Sequence, residues 1–263
     1  MKYSTRIALL LVLGLLLLAL LSCSKDETPT TPNFEIGGVP SYVWDYNHIL
    51  WFELMYQDAT KGVATVNLMM SAKGDNPDAA LMIGTQTINF PEVVSYTKGK
   101  IYFGGQYTLN TDQPVSYKIT GNSSTYEGNI SALPKKVEVT TWPTFAENIN
   151  YSASWTSATD PKFHVIDAYA RGEATDINWI RQIAGTDKAY TLLQSMWSSL
   201  IPIQEFYFGI NAVGYEMKNS NKVLIVGETG NYYEWPNDVK GASSRPERKP
   251  FQYLDRIQAD INN

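Results

Sequence analysis

Two histidines, a single cysteine and a scatter of carboxylates are the side chains in this 263-residue chain best suited to catalysis or metal binding. His48 opens the run His48-Ile49-Leu50, and His164 lies between Phe163 and Val165. Neither belongs to a His-Glu-x-x-His pair, and one cysteine cannot complete a zinc set. Each reads as a partly buried strand histidine. The chain contains no Gly-x-Ser-x-Gly elbow, P-loop or Gly-x-Gly-x-x-Gly turn. A Ser-His-acid set would have to assemble across the fold, with no local motif behind it. Glu53, Asp58, Glu147, Asp160, Asp176, Glu205 and Glu216 would serve a hydrolase only if two of them converged to roughly 5–10 Å. Solvated loop and strand-edge charge is the plainer reading. Asp75-Asn76-Pro77-Asp78, after Lys73-Gly74, lacks the spacing and closing glutamate of a calcium loop, so a polar turn is expected. No catalytic residue, metal ligand or cofactor is therefore assigned. A hydrolase acting on glycan or peptide through scattered carboxylates is the alternative to a binding protein.

Aromatic side chains make up 13% of the residues. Trp155 is expected in a core. Trp179, Trp197 and the cluster Tyr232, Tyr233 and Trp235 are the candidate ligand-binding rings. Tyr232 and Tyr233 cannot both point inward if their stretch is a strand. A flat exposed ring beside a polar group suits stacking on a sugar or docking to a protein. Sealing an interface between two domains uses the same residues, and both readings stand at this point.

The cysteine answers a different question. Lys2 and Arg6 precede an unbroken apolar run from Ile7 to Leu21. Fifteen helical residues rise about 22 Å, short of the ~30 Å hydrocarbon core, so a secretory leader fits better than a membrane span. Leu20-Leu21-Ser22-Cys23 then resembles the lipobox of bacterial lipoproteins. That resemblance implies cleavage before Cys23 and acylation of Cys23, with outer-membrane lipid as the partner of the acyl chains. Two or more chains hold a protein on a bilayer where one does so only marginally. Ser24-Lys25-Asp26-Glu27 resembles the export signal of Bacteroidetes surface lipoproteins, which implies an outer-membrane anchor facing the cell exterior. The Pro/Thr stretch that follows is an extended spacer.

Cleavage would remove Lys2 and Arg6 from the 21 basic residues and none of the 26 acidic ones, so the mature chain is more acidic than the formal −5 of the whole. That balance argues against nucleic acid as a partner. An extracellular glycan or a neighbouring outer-membrane protein, in an uptake or adhesion complex, is the expected partner.

Turn formers recur every 8–12 residues and helical periodicity is rare, which predicts an all-β protein. In "GVATVNLMMSA", Ala64, Val66, Leu68 and Met70 share one face. In "VSYKIT", Val115, Tyr117 and Ile119 do the same, and a hairpin follows. The stretch from Phe34 looks like the small Ig-like or transthyretin-like modules of secreted bacterial proteins. Residues Pro143 to Thr229 resemble a fibronectin type III domain. Trp155, Asp160-Pro161, the aromatic run Phe163 to Tyr169, and Leu200, Pro202 and Phe206 to Phe208 carry that likeness. The expected organisation is two tandem antiparallel β-sandwich domains: leader 1–22, lipidated linker 23–33, first sandwich 34–138, second sandwich 139–230, and tail 231–263. The tail would end in a short helix with Leu254, Ile257, Gln258 and Ile261 on one stripe. Residues 188–201 have the length for a helical turn, and their topology is open.

Overall fold

The structure, a computed structural model, describes residues 41–56, 62–74, 78–121, 124–131, 133–236, 257, 258 and 261. Cys23, the Ser24-Lys25-Asp26-Glu27 signal, Asp58, Asp75 to Pro77, the tail cations Lys240, Arg245, Arg248 and Lys249, and Leu254 lie outside the described residues.

After a single-turn 3-10 segment, Ser41–Asp45, the chain runs through β1 (His48–Tyr56), β2 (Val63–Lys73), β3 (Ala80–Ile83), β4 (Gln86–Ile88), β5 (Glu92–Tyr96), β6 (Gly99–Asn110), β7 (Val115–Gly121) and β8 (Ser124–Ile130). The short β9 (Val137–Glu138) marks the passage to β10 (Tyr151–Ser154), β11 (Thr156–Ser157), β12 (Phe163–Arg171), β13 (Asp176–Ala184) and β14 (Ala189–Leu192). Two 3-10 turns, Gln194–Met196 and Ser198–Leu200, lead into the long closing strands β15 (Glu205–Lys218) and β16 (Val223–Trp235).

The expected all-β sandwich architecture is what these strands build. A sheet ordered β13-β12-β15-β16-β1-β2-β6-β5 forms the floor, and a second sheet, β4-β3-β7-β8, covers its β1-β2-β6 end. Period-two alternation explains the first core. Leu50, Phe52 and Leu54 from β1 and Ala64, Val66, Leu68 and Met70 from β2 face Leu81, Ile83, Val115, Tyr117 and Ile119 from the cover. A second core lies over the other end of the floor. There Ile166, Ala168 and Ala170 from β12 and Phe206, Phe208 and Ile210 from β15 pack under Tyr151, Ala153, Trp155, Leu192 and Trp197. The two-stranded pairs β10–β14 and β9–β11, with the 3-10 turns, form that cover.

The strand patterns did not convey that the two sandwiches share one floor. β1 and β16 pair in parallel, from His48 opposite Val223 to Glu53 opposite Glu228, while the other described pairs are antiparallel. β16 serves both lobes. Val223 and Ile225 complete the first core, whereas Tyr233 and Trp235 pack against the second. The strand continues through Gly230 to Trp235 because β15 is long enough to hold it, with Phe206 opposite Trp235. Residues 231–235, expected to begin a tail, are therefore sheet. Residues 188–201 resolve into β14 and the two 3-10 turns. The other face of the floor is buried as well, through Ile49, Phe163, Val165, Val213, Leu224 and Val226. It carries polar groups too: Trp51 Nε1 donates to Glu228 Oε1 at 3.3 Å. Of the expected C-terminal stripe, Ile257 is fully buried and Gln258 Oε1 accepts a 2.9 Å bond from Tyr46.

Candidate binding site at the junction of the lobes

The five candidate rings do not form a shared exposed face. Trp197 has no exposed surface; its ring lies 5.6 Å from both Phe145 and Phe206, and its Nε1 donates to Glu147 O at 2.9 Å. Tyr233 stacks on Tyr151 at 5.5 Å and accepts a bond from Phe145 N, and Trp235 lies 5.3 Å from Phe145. Trp179 is half-buried against the same core. Tyr232, one residue out of phase, points to the other face, where it stacks on Tyr207 at 5.9 Å and stays 42% exposed. Strand alternation thus sends Tyr233 and Trp235 inward and Tyr232 outward. The inward rings seal the core of the second lobe rather than a platform for ligand.

The six described members of the scattered carboxylate set are also committed to the fold. Glu147 Oε1 accepts from Ile203 N at 2.8 Å, Asp160 pairs with Lys188 at 2.7 Å, and Glu205 pairs with Arg171. Glu53 accepts from Asn67 at 3.1 Å, and Asp176 accepts from the Tyr169 hydroxyl at 3.3 Å. Glu216 receives Ser131 N and Oγ and the Lys218 ammonium, each at 2.7 Å. Partial burial would raise its pKa, but these bonds outweigh that effect and hold the carboxyl below its ordinary range. Asp78 pairs with Lys100 at 3.0 Å. Among the described residues, no three His, Cys, Asp or Glu side chains gather as a metal site would require.

Both histidines are buried, as expected of strand residues. His164 Nε2 accepts from Trp155 Nε1 at 3.2 Å, which assigns its proton to Nδ1, 3.2 Å from Ala184 O. Burial lowers its pKa, as it does for His48, which falls to about 4.

The cavity that brings side chains from both lobes together lies elsewhere. It measures about 240 Å3 and opens between Tyr56, Gly62 and Asp112 of the first lobe and β9 and β11 of the second. One wall is a fixed polar network. Lys135 Nζ donates to Asp112 Oδ1 at 2.6 Å and Thr111 O at 2.8 Å. The Tyr56 hydroxyl donates to Pro134 O at 2.9 Å, and Thr111 N and Oγ1 donate to Gly62 O at 2.7 and 2.9 Å. Gly62 takes a φ of +45°, a left-handed conformation that favours glycine, and a Cβ there would displace the Asp112 carboxylate from its place in this wall. The opposite wall holds Lys136 and Glu138, with Thr156 and Ser157 of β11 beside them. Lys136 Nζ stands 3.9 Å from Glu138 Oε1, beyond hydrogen-bond reach, and that oxygen is buried with no hydrogen bond among the described residues. Sequence reasoning missed this cavity because four separate segments build it. The one available signal was "LPKKVEV", two lysines and an acid at the joint between the halves.

No family model matches the chain, and no curated protein matches it. Among solved structures, the crystal structure of the FN1-FN3 domains of chicken CNTN1 aligns at 11% identity and a TM-score of 0.23, over 70% of this chain. The aligned part spans 64% of that chain, less than two thirds of its length. The sandwich architecture rests on the strands themselves.

Proposed function

We propose that this chain is a lipid-anchored binding protein of the outer-membrane surface, which holds an extracellular glycan or a neighbouring outer-membrane protein. Acylated Cys23 is the anchor, and Lys25, Asp26 and Glu27 direct the protein outward. The observation that carries the binding role is the junction cavity: a concave site between two lobes, lined by polar groups on a rigid floor, is where small ligands are commonly held. The continuous sheet supports the same reading, because it fixes the two walls relative to one another before any ligand arrives. Among the described residues, Glu53, Glu147, Asp160, Asp176, Glu205 and Glu216 are each engaged in the fold's own bonds, which supports binding over hydrolysis.

The anchor is tested by fractionating cells that express wild type and Cys23→Ser. Wild type should sediment with membranes and be digested by protease added to intact cells, and the variant should be released. Membrane retention of Cys23→Ser, or protection of the wild type from external protease, refutes the surface assignment.

A further inference from the structure

We propose that the end of the second lobe built from the two 3-10 turns and the loop before β10 rests on the bilayer, with Ile149, Leu193 and Ile201 dipping into its surface. The inference rests on the lipid-anchor reading and gives the tethered protein a second point of contact.

Exposure comes first. Ile149 is 60% exposed, Leu193 52% and Ile201 42%. The loops that carry them are held together. Gln194 N donates to Asn150 Oδ1 at 2.8 Å, Trp197 Nε1 donates to Glu147 O at 2.9 Å, and Ile203 N donates to Glu147 Oε1 at 2.8 Å. Trp197 fills the space beneath them with no exposed surface. This end therefore presents its aliphatic side chains from a fixed frame, and little ordering is left for a contact to supply.

Charge names the surface. The sixteen residues from Ala189 to Gln204 include no Asp, Glu, Lys, Arg or His, although the chain's 18% average would place two or three there. Asn148 to Thr159 carries none either. Glu147, which precedes that stretch, has its carboxylate turned to Ile203 N. The whole chain has a formal charge of −5, so a bilayer bearing anionic lipid repels most of it. The uncharged end approaches without that cost. Exposed Asn150, Ser195, Ser198 and Ser199 supply neutral hydrogen-bonding groups beside the aliphatic ones, as suits the boundary between headgroups and acyl chains.

Size separates a bilayer from a protein partner. A specific protein interface buries about 1,200–2,000 Å2 around aromatic or Arg anchors. Three part-exposed aliphatic side chains offer neither that area nor those anchors. They are also too few to hold a protein on a membrane alone, where even one acyl chain binds only marginally. They suffice to orient a protein that is already tethered. Ser24 to Pro40 is 17 residues of chain, up to about 60 Å when extended, so the tether lets this end reach the surface.

The test attaches the chain from Cys23 to Asn263, which retains every described residue, through Cys23 to a maleimide lipid. The vesicles hold phosphatidylcholine, phosphatidylglycerol and a photoactivatable diazirine phospholipid. Cys23 is the one cysteine, so attachment is unique, and the tether is present whether or not cells acylate it. After irradiation, mass spectrometry should find lipid adducts concentrated in residues 146–150 and 189–204. They should be several-fold rarer on β5, where Val93 is 47% exposed at the opposite edge of the floor. Ile149→Ser, Leu193→Ser and Ile201→Ser combined should cut the adducts in those two stretches by about fivefold or more, the loss expected when half-buried aliphatic contacts are removed. Unchanged circular dichroism and unfolding midpoint would show that the fold is kept. Met55→Ser with Val93→Ser, exposed elsewhere, should label as wild type does. Adducts spread evenly over the protein, adducts concentrated on β5, or a triple variant that labels like wild type overturns the assignment. Acylation of Cys23 in cells is decided separately, by the Cys23→Ser fractionation.

Discussion

Acid should destabilise this fold through His48. Its ring lies 8% exposed on β1, with Nδ1 3.3 Å from Ser71 O and the Tyr126 ring 5.3 Å away edge-on. Burial drives its pKa from the ordinary 6.5 down to about 4, against a smaller upward pull from the Ser71 carbonyl. The sign follows from proton counting. Above pH 6.5 the histidine is neutral in both states and contributes nothing. Between 6.5 and 4 the unfolded chain takes up a proton that the folded chain refuses, so stability falls as pH falls. Below 4 both states are protonated and the loss is complete. The full shift corresponds to about 3 kcal/mol, of which about 2 kcal/mol is lost between pH 7 and pH 5. Against a typical net stability of ~5–15 kcal/mol that is a large share. His164 adds in the same direction. Burial lowers its pKa, and a proton on Nε2 would face the Trp155 N–H and lose that bond. Equilibrium urea unfolding at half-unit steps from pH 7.5 to 5 measures the effect, in a range where most carboxylates stay ionised. Wild type should lose stability steadily below pH 6.5, and His48→Gln should show a slope shallower by close to one proton. Absolute stability of the variant is not the readout, because the Tyr126 contact goes with the ring. A wild-type profile flat from 7 to 5, or identical slopes in wild type and His48→Gln, would refute the reasoning.

Trp197→Ala should cost about 3–5 kcal/mol in urea unfolding, the range for emptying a fully buried large aromatic site, while Trp197→Phe recovers much of it; a loss under about 1 kcal/mol would mean the ring is not core. Gly62→Ala should destabilise by at least ~1–2 kcal/mol from the left-handed backbone alone, with the Asp112 overlap added, and a neutral result would contradict the closed wall.

Much of the first lobe was legible because its strands are half-exposed. In β7, Val115, Tyr117 and Ile119 are buried while Ser116 and Lys118 face water, so period-two alternation survives in the sequence. Trp155 and both histidines sat where apolar neighbours placed them. The shared floor left no such trace. β12 and the first ten residues of β15 are buried on both faces, and a two-sided apolar strand does not announce which neighbour it pairs with. Gly230 and Asn231 read as turn formers, yet their partners Asn211 and Ile210 keep them in the sheet, a case of tertiary pairing overriding local propensity. Strand alternation did require Tyr232 and Tyr233 to part, but it left open which of them turns inward. The cavity was invisible for another reason. Tyr56, Asp112, Lys136 and Ser157 become neighbours only after the lobes close, and no spacing within one segment encodes that.

The handclasp between β1 and β16 bears on how the molecule is made. A chain still lacking Val223 and Ile225 has an unfinished first core and a bare flank on β1, however much of the remainder has emerged. Its two halves therefore cannot mature one after the other, as separate modules do during synthesis. The slowest step of assembly should be the meeting of an early segment with one of the last, the sort of distant pairing that delays folding. Until that meeting, the naked flank is a template for illicit strand addition, which makes a nascent or clipped chain prone to clump where the finished one is not.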